Sequence, residues 1–360
     1  MFLTRLFLTT VVIAEITSGS LSAIQTREKL ITPKEVYTPG VKNLGYKMVN
    51  GVKVFRIEAE PVVKTIYNEK DNQLEKYVKK HNRYTGPTMS LPFSSQKIDG
   101  WGYNKSIPGP TIIVNEGDEV RIYVKNKLPE PTTIHWHGLI VPNNEDGAGG
   151  ADDPVIKPGN TGVYHFTIKN PPGTYAYHSG FNDPKQVGMG MSGFFIVLPK
   201  GGSNEVKYDF AIMVRGWSLK RDGTVDFLSM ANDWFTFNGL CAPNFPVLKV
   251  PYGARVKIRF GNMGGIMAHP IHLHGYSFNI TGTEGGPIPL SAQWPAATVP
   301  VFPGTTRTIE FVANNPGLWR LHCHILHHII NDPPIFEKNK PIGILPVGGM
   351  YTCLEVGEKE

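Results

Sequence analysis

An all-β fold is predicted for this chain by three observations: turn-forming residues are dense, apolar residues alternate over short runs, and one residue pattern occurs twice. The 360 residues include 39 glycines and 30 prolines, which interrupt any long helical pattern and favour short strands joined by turns. In TIIVNEGDEVRIYVKN (111–126) and VLKVPYGARVKIRFGN (247–262) apolar and polar residues alternate on either side of a glycine, as half-buried strands flanking a turn require. With 41% hydrophobic and 18% charged residues the chain affords a core for one large or two ordinary domains, which excludes disorder and a coiled coil.

From the N-terminus, residues 1–23 carry Arg5, an apolar stretch from Leu6 to Ile13 and small residues at Ser20 and Ser22, the layout of a secretory signal cut near Ser22 or Ala23. The mature chain is then expected in the periplasm or outside the cell, with no membrane span, because no other run approaches the ~20 apolar residues of a spanning helix. An arm follows at 24–48. The first domain is placed at 49–203 and the second at 204–360, with the polar, non-periodic stretch 69–96 read as a surface loop inserted into the first. Three cysteines, Cys241, Cys323 and Cys353, are too few for a disulfide scaffold or a four-thiolate zinc site, although an extracytoplasmic Cys241–Cys353 bridge is possible. The net charge of +6 is spread without basic clusters, so nucleic acid is not an expected partner.

The repeat supports two domains of one design. Pro110, Val114, Gly117, Val120, Ile122 and Asn126 recur at identical spacing as Pro246, Val250, Gly253, Val256, Ile258 and Asn262. Each copy then reaches His-x-His-Gly, at His135–Gly138 and His272–Gly275, and each ends in a Pro-Gly six residues before a histidine, His178 or His322.

Ten of the twelve histidines fall in four short clusters, which makes metal binding the leading question. Residues i and i+2 of a strand project from one face, so each His-x-His aims two imidazoles the same way, and two related domains could enclose several metal ions between them. Burying that many ring nitrogens without partners would cost free energy, which disfavours a purely structural role. Cys323 lies between His322 and His324 and projects to the opposite face. With His269 and His328 it offers a trigonal His2Cys set, the donor type of blue-copper electron-transfer centres. The isolated His81 and His165 are read as surface or hydrogen-bonded residues, and Met189, Met191, Trp136 and Trp319 as packing.

IHWHG (134–138), YHSG (177–180), HPIHLHG (269–275) and LHCHILHH (321–328) resemble the four copper signatures of multicopper oxidases, over most of residues 49–330. The two-domain length is similar to the short, laccase-like branch. The resemblance implies two cupredoxin-like Greek-key β-sandwich domains, a type 1 copper that oxidises substrate, and a trinuclear type 2/type 3 cluster that reduces O2 to water. Position by position it implies His269, Cys323 and His328 as type 1 ligands and His135 and His272 as type 2 ligands. His137, His178, His274, His322 and His324 then fall at type 3 positions. His327 matches no ligand position. Asp146 resembles the acidic residue that assists proton delivery, and an ordinary turn aspartate is the alternative.

Two departures stand out. Both the repeat and the family pattern call for histidine at 180, where the chain has Gly180, leaving seven imidazoles for the cluster where eight are expected. Ten residues past Cys323, where the family often has an axial methionine or apolar residue, stands Pro333; Met350 lies too far along for an easy assignment, and 332–346 reads as a loop at the rim of that site.

The sequence therefore points to a copper-dependent oxidase, with about four coppers per chain if the cluster is intact. It would draw single electrons from a phenolic compound or low-valent metal ion and pass them to O2. The alternative is a copper-binding or electron-transfer protein whose cluster Gly180 has disabled. Copper nitrite reductase is a distant third, because its blue-copper cysteine would belong where this chain has Ser179. Short oxidases of this kind close the cluster between subunits, so the resemblance implies a homotrimer.

Overall fold

The computed structural model describes residues 29–73, 76, 95–149, 154–202, 206–331 and 348–359. The signal segment, His81, most of the 69–96 stretch, and Pro333 with the rest of 332–346 lie outside the described residues.

The described chain is all-β, and its two sandwiches repeat one strand plan. In the first, β1 (Lys47–Val49), β2 (Val52–Asn68), β3 (Ser95–Tyr103), β5 (Glu119–Asn126) and β6 (Thr161–Thr167) form one sheet, while β4 (Ile112–Asn115), β7 (Gly173–His178) and β8 (Ser192–Leu198) form the other. In the second, β9 (Tyr208–Trp217), β10 (Trp234–Phe237), β12 (Arg255–Asn262), β14 (Phe278–Thr283), β15 (Gly286–Pro287), β16 (Trp294–Ala296) and β18 (Thr305–Val312) share a sheet. It packs against β11 (Leu248–Val250), β13 (His269–Leu273), β17 (Thr298–Val301), β19 (Gly317–Cys323) and β20 (Tyr351–Val356). The duplicated sequence becomes duplicated topology: β2 runs parallel to β5 as β9 does to β12, and β4 runs parallel to β8 as β11 does to β20.

Alternation explains the register. Along β5, Val120, Ile122 and Val124 are fully buried while Arg121, Tyr123 and Lys125 turn outward; Val256, Ile258 and Phe260 of β12 do the same in the second sandwich. Burying each such side chain stabilises by about 1.5–3 kcal/mol, so a one-residue slip would expose the whole row. A third apolar cluster, with Ala176, Phe194 and Ile196 against Ala211, Met213 and Met263, joins the sandwiches. There Arg259 is held by both carboxylate oxygens of buried Asp209 (2.8 Å each) and donates to Thr174 Oγ1 at 2.8 Å. The arm bridges them too: the Tyr37 N–H donates to Asp209 O, and the Leu44 N–H to Thr111 O, each at 2.8 Å.

Cys241 and Cys353 are separate buried thiols, so the possible bridge is not present. Burial favours the neutral form of each and pushes both pKa values up, that of Cys353 to about 11. Trp136 and Met191 are core residues, and exposed His165 pairs with Glu119 at 2.6 Å.

Candidate metal centre

The thiolate site is built by three short elements. Strands β13 and β19 pair antiparallel with Ile271 opposite Cys323, which sets His269 beside the end of β19. The chain then turns into the single helical turn α2 (His327–Ile330), carrying His328 back over the sulfur. All three side chains are buried. Cys323 Sγ lies 3.3 Å from His328 Nδ1 and 3.9 Å from His269 Nδ1, and the two nitrogens are 3.0 Å apart. The point equidistant from these three atoms is about 2.0 Å from each, close to the bond length of a first-row metal ion to nitrogen and slightly short of that to sulfur. The residues present thus fit a trigonal His2Cys metal site. Burial pulls His269 down to about 3 and His328 to about 4, so both rings are neutral donors at pH 7, and pushes the Cys323 thiol up to about 12. Phe235 stacks on His328 with ring centroids 3.9 Å apart.

Sequence reasoning missed what closes this site from the other side. Asn331, buried and held at φ +61°, accepts the Phe235 N–H at 2.9 Å and donates to Gly348 O at 2.5 Å. The chain thus leaves at Asn331 and returns beside it. Met350, fully buried, then donates its N–H to His328 O (2.7 Å) and accepts the Cys323 N–H (3.1 Å). The Gly-Met pair follows His328 at a distance only because a long excursion separates two segments that touch, a relation no linear spacing displays.

In the first sandwich His135 and His178 face each other as an antiparallel bridge, and His137 lies two residues on. His137 Nδ1 and His178 Nε2 approach to 3.2 Å, a separation that two ligands of one ion adopt. The remaining nitrogens are held by backbone oxygens: His135 Nδ1 by Asp146 O at 3.0 Å, His178 Nδ1 by Ser179 O at 2.8 Å, and His137 Nε2 by Gly304 O at 2.9 Å. A carbonyl accepts only from N–H, so each fixes a tautomer and leaves the other nitrogen free for a metal. Burial lowers His137 and takes His178 to about 4.

The second sandwich presents the equivalent set. His272 and His322 pair across β13 and β19, and His274 Nε2 lies 3.0 Å from His322 Nε2. His322 Nδ1 donates to Cys323 O at 2.8 Å and His272 Nδ1 to Ala297 O at 2.6 Å. Burial takes His322 to about 4. His324, whose ring centroid is 5.5 Å from that of His272 and 5.7 Å from that of His322, is exposed, as is His327. Among the described residues every ring contact within these seven imidazoles joins members of one set: His135, His137 and His178, or His272, His274, His322 and His324. The chain brings together two partial sets and leaves them apart.

Gly180 has a steric cause. A Cβ there would overlap the Gly147 carbonyl oxygen and lie 3.0 Å from Ala148 Cα, so the 146–149 loop occupies the space a side chain would need. That loop also presents Asp146, whose Oδ2 is 3.3 Å from His135 Nδ1. Its observed contact is to the ring that its own carbonyl already holds. Asp183, which sequence reasoning did not single out, begins the short helix α1 (Asp183–Met189); burial raises its pKa and the nearby His135 opposes that shift.

Family models described as multicopper oxidase match residues 87–202 and 217–332. Among curated proteins, hephaestin of Mus musculus is 28% identical over 73% of this chain, and Laccase-20 of Oryza sativa subsp. japonica 28% identical over 64%. The chain spans only about a quarter of the former's length and under half of the latter's. Among solved structures, the blue copper oxidase from Nitrosomonas europaea is 27% identical, with a TM-score of 0.68 over 84% of this chain and 85% of its own. The multicopper oxidase mgLAC is 29% identical, with a TM-score of 0.65 over 84% and 86%.

Proposed function

The chain belongs to the multicopper oxidase family, and from that premise we propose that it takes single electrons from a small reductant at a type 1 copper held by His269, Cys323 and His328 and delivers them to O2 at a trinuclear copper cluster. The observation that carries this reading is β19: Cys323 turns its sulfur into the His269–His328 triangle, while His322 and His324 on either side of it belong to the histidine set. When bound, copper supplies one-electron redox chemistry at the first position and O2 reduction at the second.

The protein's own residues would do the following. Cys323 links the two positions covalently, and its carbonyl, accepting from His322, adds a hydrogen-bonded route from sulfur-bearing residue to cluster ligand. Met350, whose backbone is bound to both His328 and Cys323, would be the candidate to supply a thioether donor to that copper. Asp146 fixes the His135 tautomer, and Asp183, a carboxyl of raised pKa beside His135, is better suited to hold a proton for delivery. The two histidine sets would be united between subunits, the 135/137/178 set of one chain against the 272/274/322/324 set of its neighbour in a homotrimer. Apart from buried His322, these rings are half-buried or exposed in a single chain, which supports that arrangement. Export by the N-terminal segment would place the enzyme in the periplasm or outside the cell.

Loading with excess copper and counting it is the test. About four coppers per chain, an intense thiolate-to-copper visible band and O2 consumption with a phenolic or low-valent metal reductant are expected. Full loading with no O2 uptake from any reductant would overturn the proposal. The second reading, an electron-transfer protein with a degraded cluster, is favoured by Gly180 alone and predicts about one tightly held copper with the same visible band.

A further inference from the structure

Beside the first histidine set, between α1, β9 and the loop joining β12 to β13, lies a cavity of about 500 Å3 whose lining reaches His178 and Asp183 at one end. Its wall is largely apolar, with Trp217, Val225, Phe227, Met230, Met263 and Ile266. Set into it is Arg215, only 5% exposed, its guanidinium stacked 4.1 Å from the Trp217 ring. One amino group, Nη2, donates to the carbonyls of Val187 (2.5 Å) and Gly188 (2.7 Å). Nε and Nη1 are buried without a hydrogen-bond partner, and so is Nδ2 of Asn232 in the same wall.

A buried guanidinium normally sits against a carboxylate, as Arg259 does against Asp209. Arg215 has no ion pair among the described residues. Asp183 and Asp226 line the same cavity, yet neither is bonded to it, and burial with no compensating anion lowers its pKa to about 9. Leaving a buried charged donor unpaired is unfavourable, because its lost hydration is not replaced. The orphan donors lie under one turn: a Cβ on Gly264 would be 2.5 Å from Arg215 Nη1, and one on Gly265 would be 3.7 Å from Asn232 Nδ2. Gly264 and Gly265 carry no side chains, so on that side only backbone covers the two donors.

We propose that this cavity binds a small organic carboxylate, its apolar body against Trp217, Phe227 and Met263 and its carboxylate supplying the acceptors that Arg215 and Asn232 lack. The volume exceeds what a monatomic or three-atom anion fills, and the apolar wall gives such an ion nothing further to bind. A neutral aromatic would leave the guanidinium unpaired. The proposal is independent of the oxidase reading, because it needs no copper.

Calorimetric titration of the full-length, copper-loaded protein with benzoate, benzyl alcohol and acetate separates the contributions of charge and apolar body. Saturable benzoate binding is expected, at least tenfold tighter than that of benzyl alcohol or acetate. In Asn232→Asp the new carboxylate engages Arg215 from within, so benzoate affinity should fall at least tenfold while the visible copper band stays unchanged. Arg215→Gln should lose binding likewise, and Asn232→Asp remains decisive if Arg215→Gln fails to fold, since it adds a counter-charge instead of removing the bridge to α1. No saturable benzoate binding, equal binding of acetate, or undiminished binding by Asn232→Asp would each overturn the proposal.

Discussion

At Cys323 the coordination chemistry is written in protonation states. Burial holds His269 and His328 neutral far below pH 7 and keeps the thiol protonated up to about 12, so between those limits only the sulfur must lose a proton when metal binds. Titrating metal-free protein with Cu(I) in dilute buffer at pH 7 should release about one proton per chain, and Cu(I) affinity should rise about tenfold per pH unit between pH 7 and 9. Below about pH 4 protonation of His328 and then His269 steepens the loss. A release near zero in a pH-stat would mean that the thiolate already exists without metal. At Gly180 the decisive contact is with backbone, which cannot swing aside. Gly180→Ala should therefore cost about 1–3 kcal/mol, seen as a fall of several degrees in Tm by calorimetry. Gly180→His should lose more and gain no metal ligand.

The elements explain how the ligands hold still. Strand β19 delivers Cys323 to one face and His322 to the other because strand side chains alternate, and its pairing with β13 sets both histidine partners in register. The turn α2 is too short to be stable alone, so His328 depends on what grips it from outside. Asn331 is that grip. Asn331→Ala would orphan the Phe235 N–H and release Gly348, costing about 1–3 kcal/mol. Because Phe235 stacks on His328 and Met350 holds its backbone, the visible band should shift and the reduction potential change along with Tm. A fall in Tm with spectrum and potential untouched would reduce Asn331 to a structural clasp.

For the whole molecule the question is where seven imidazoles meet. One chain gathers three on its first sandwich and four on its second, with no ring contact between the sets among the described residues. If the sets close across subunits, copper-loaded protein should sediment as a trimer. Chains lacking the first set (His135→Ala with His137→Ala), mixed and reassembled with chains lacking the second (His272→Ala with His274→Ala), should regain part of the O2 consumption that each lacks alone. Monomeric copper-loaded protein, or a mixture as inactive as its components, would count against intersubunit closure.

Short-range patterns were legible without coordinates. The all-β class, the duplicated design and the facing of His135 with His137, His272 with His274, and Cys323 away from His322 all follow from the two-residue strand period and one repeated spacing. The thiolate triangle was expected from two separate motifs, at 269–275 and 321–328, and the fold brings their His269, Cys323 and His328 together. The sequence by itself could not reveal that Met350 returns to His328 after an excursion, that the 146–149 loop fills the space beside Gly180, or that Cys241 and Cys353 stay apart as thiols. Nor could it show that Arg215 is buried without an anion. Each of those depends on segments distant in the chain excluding one another's volume or completing one another's hydrogen bonds, and spacing along a line carries no information about either.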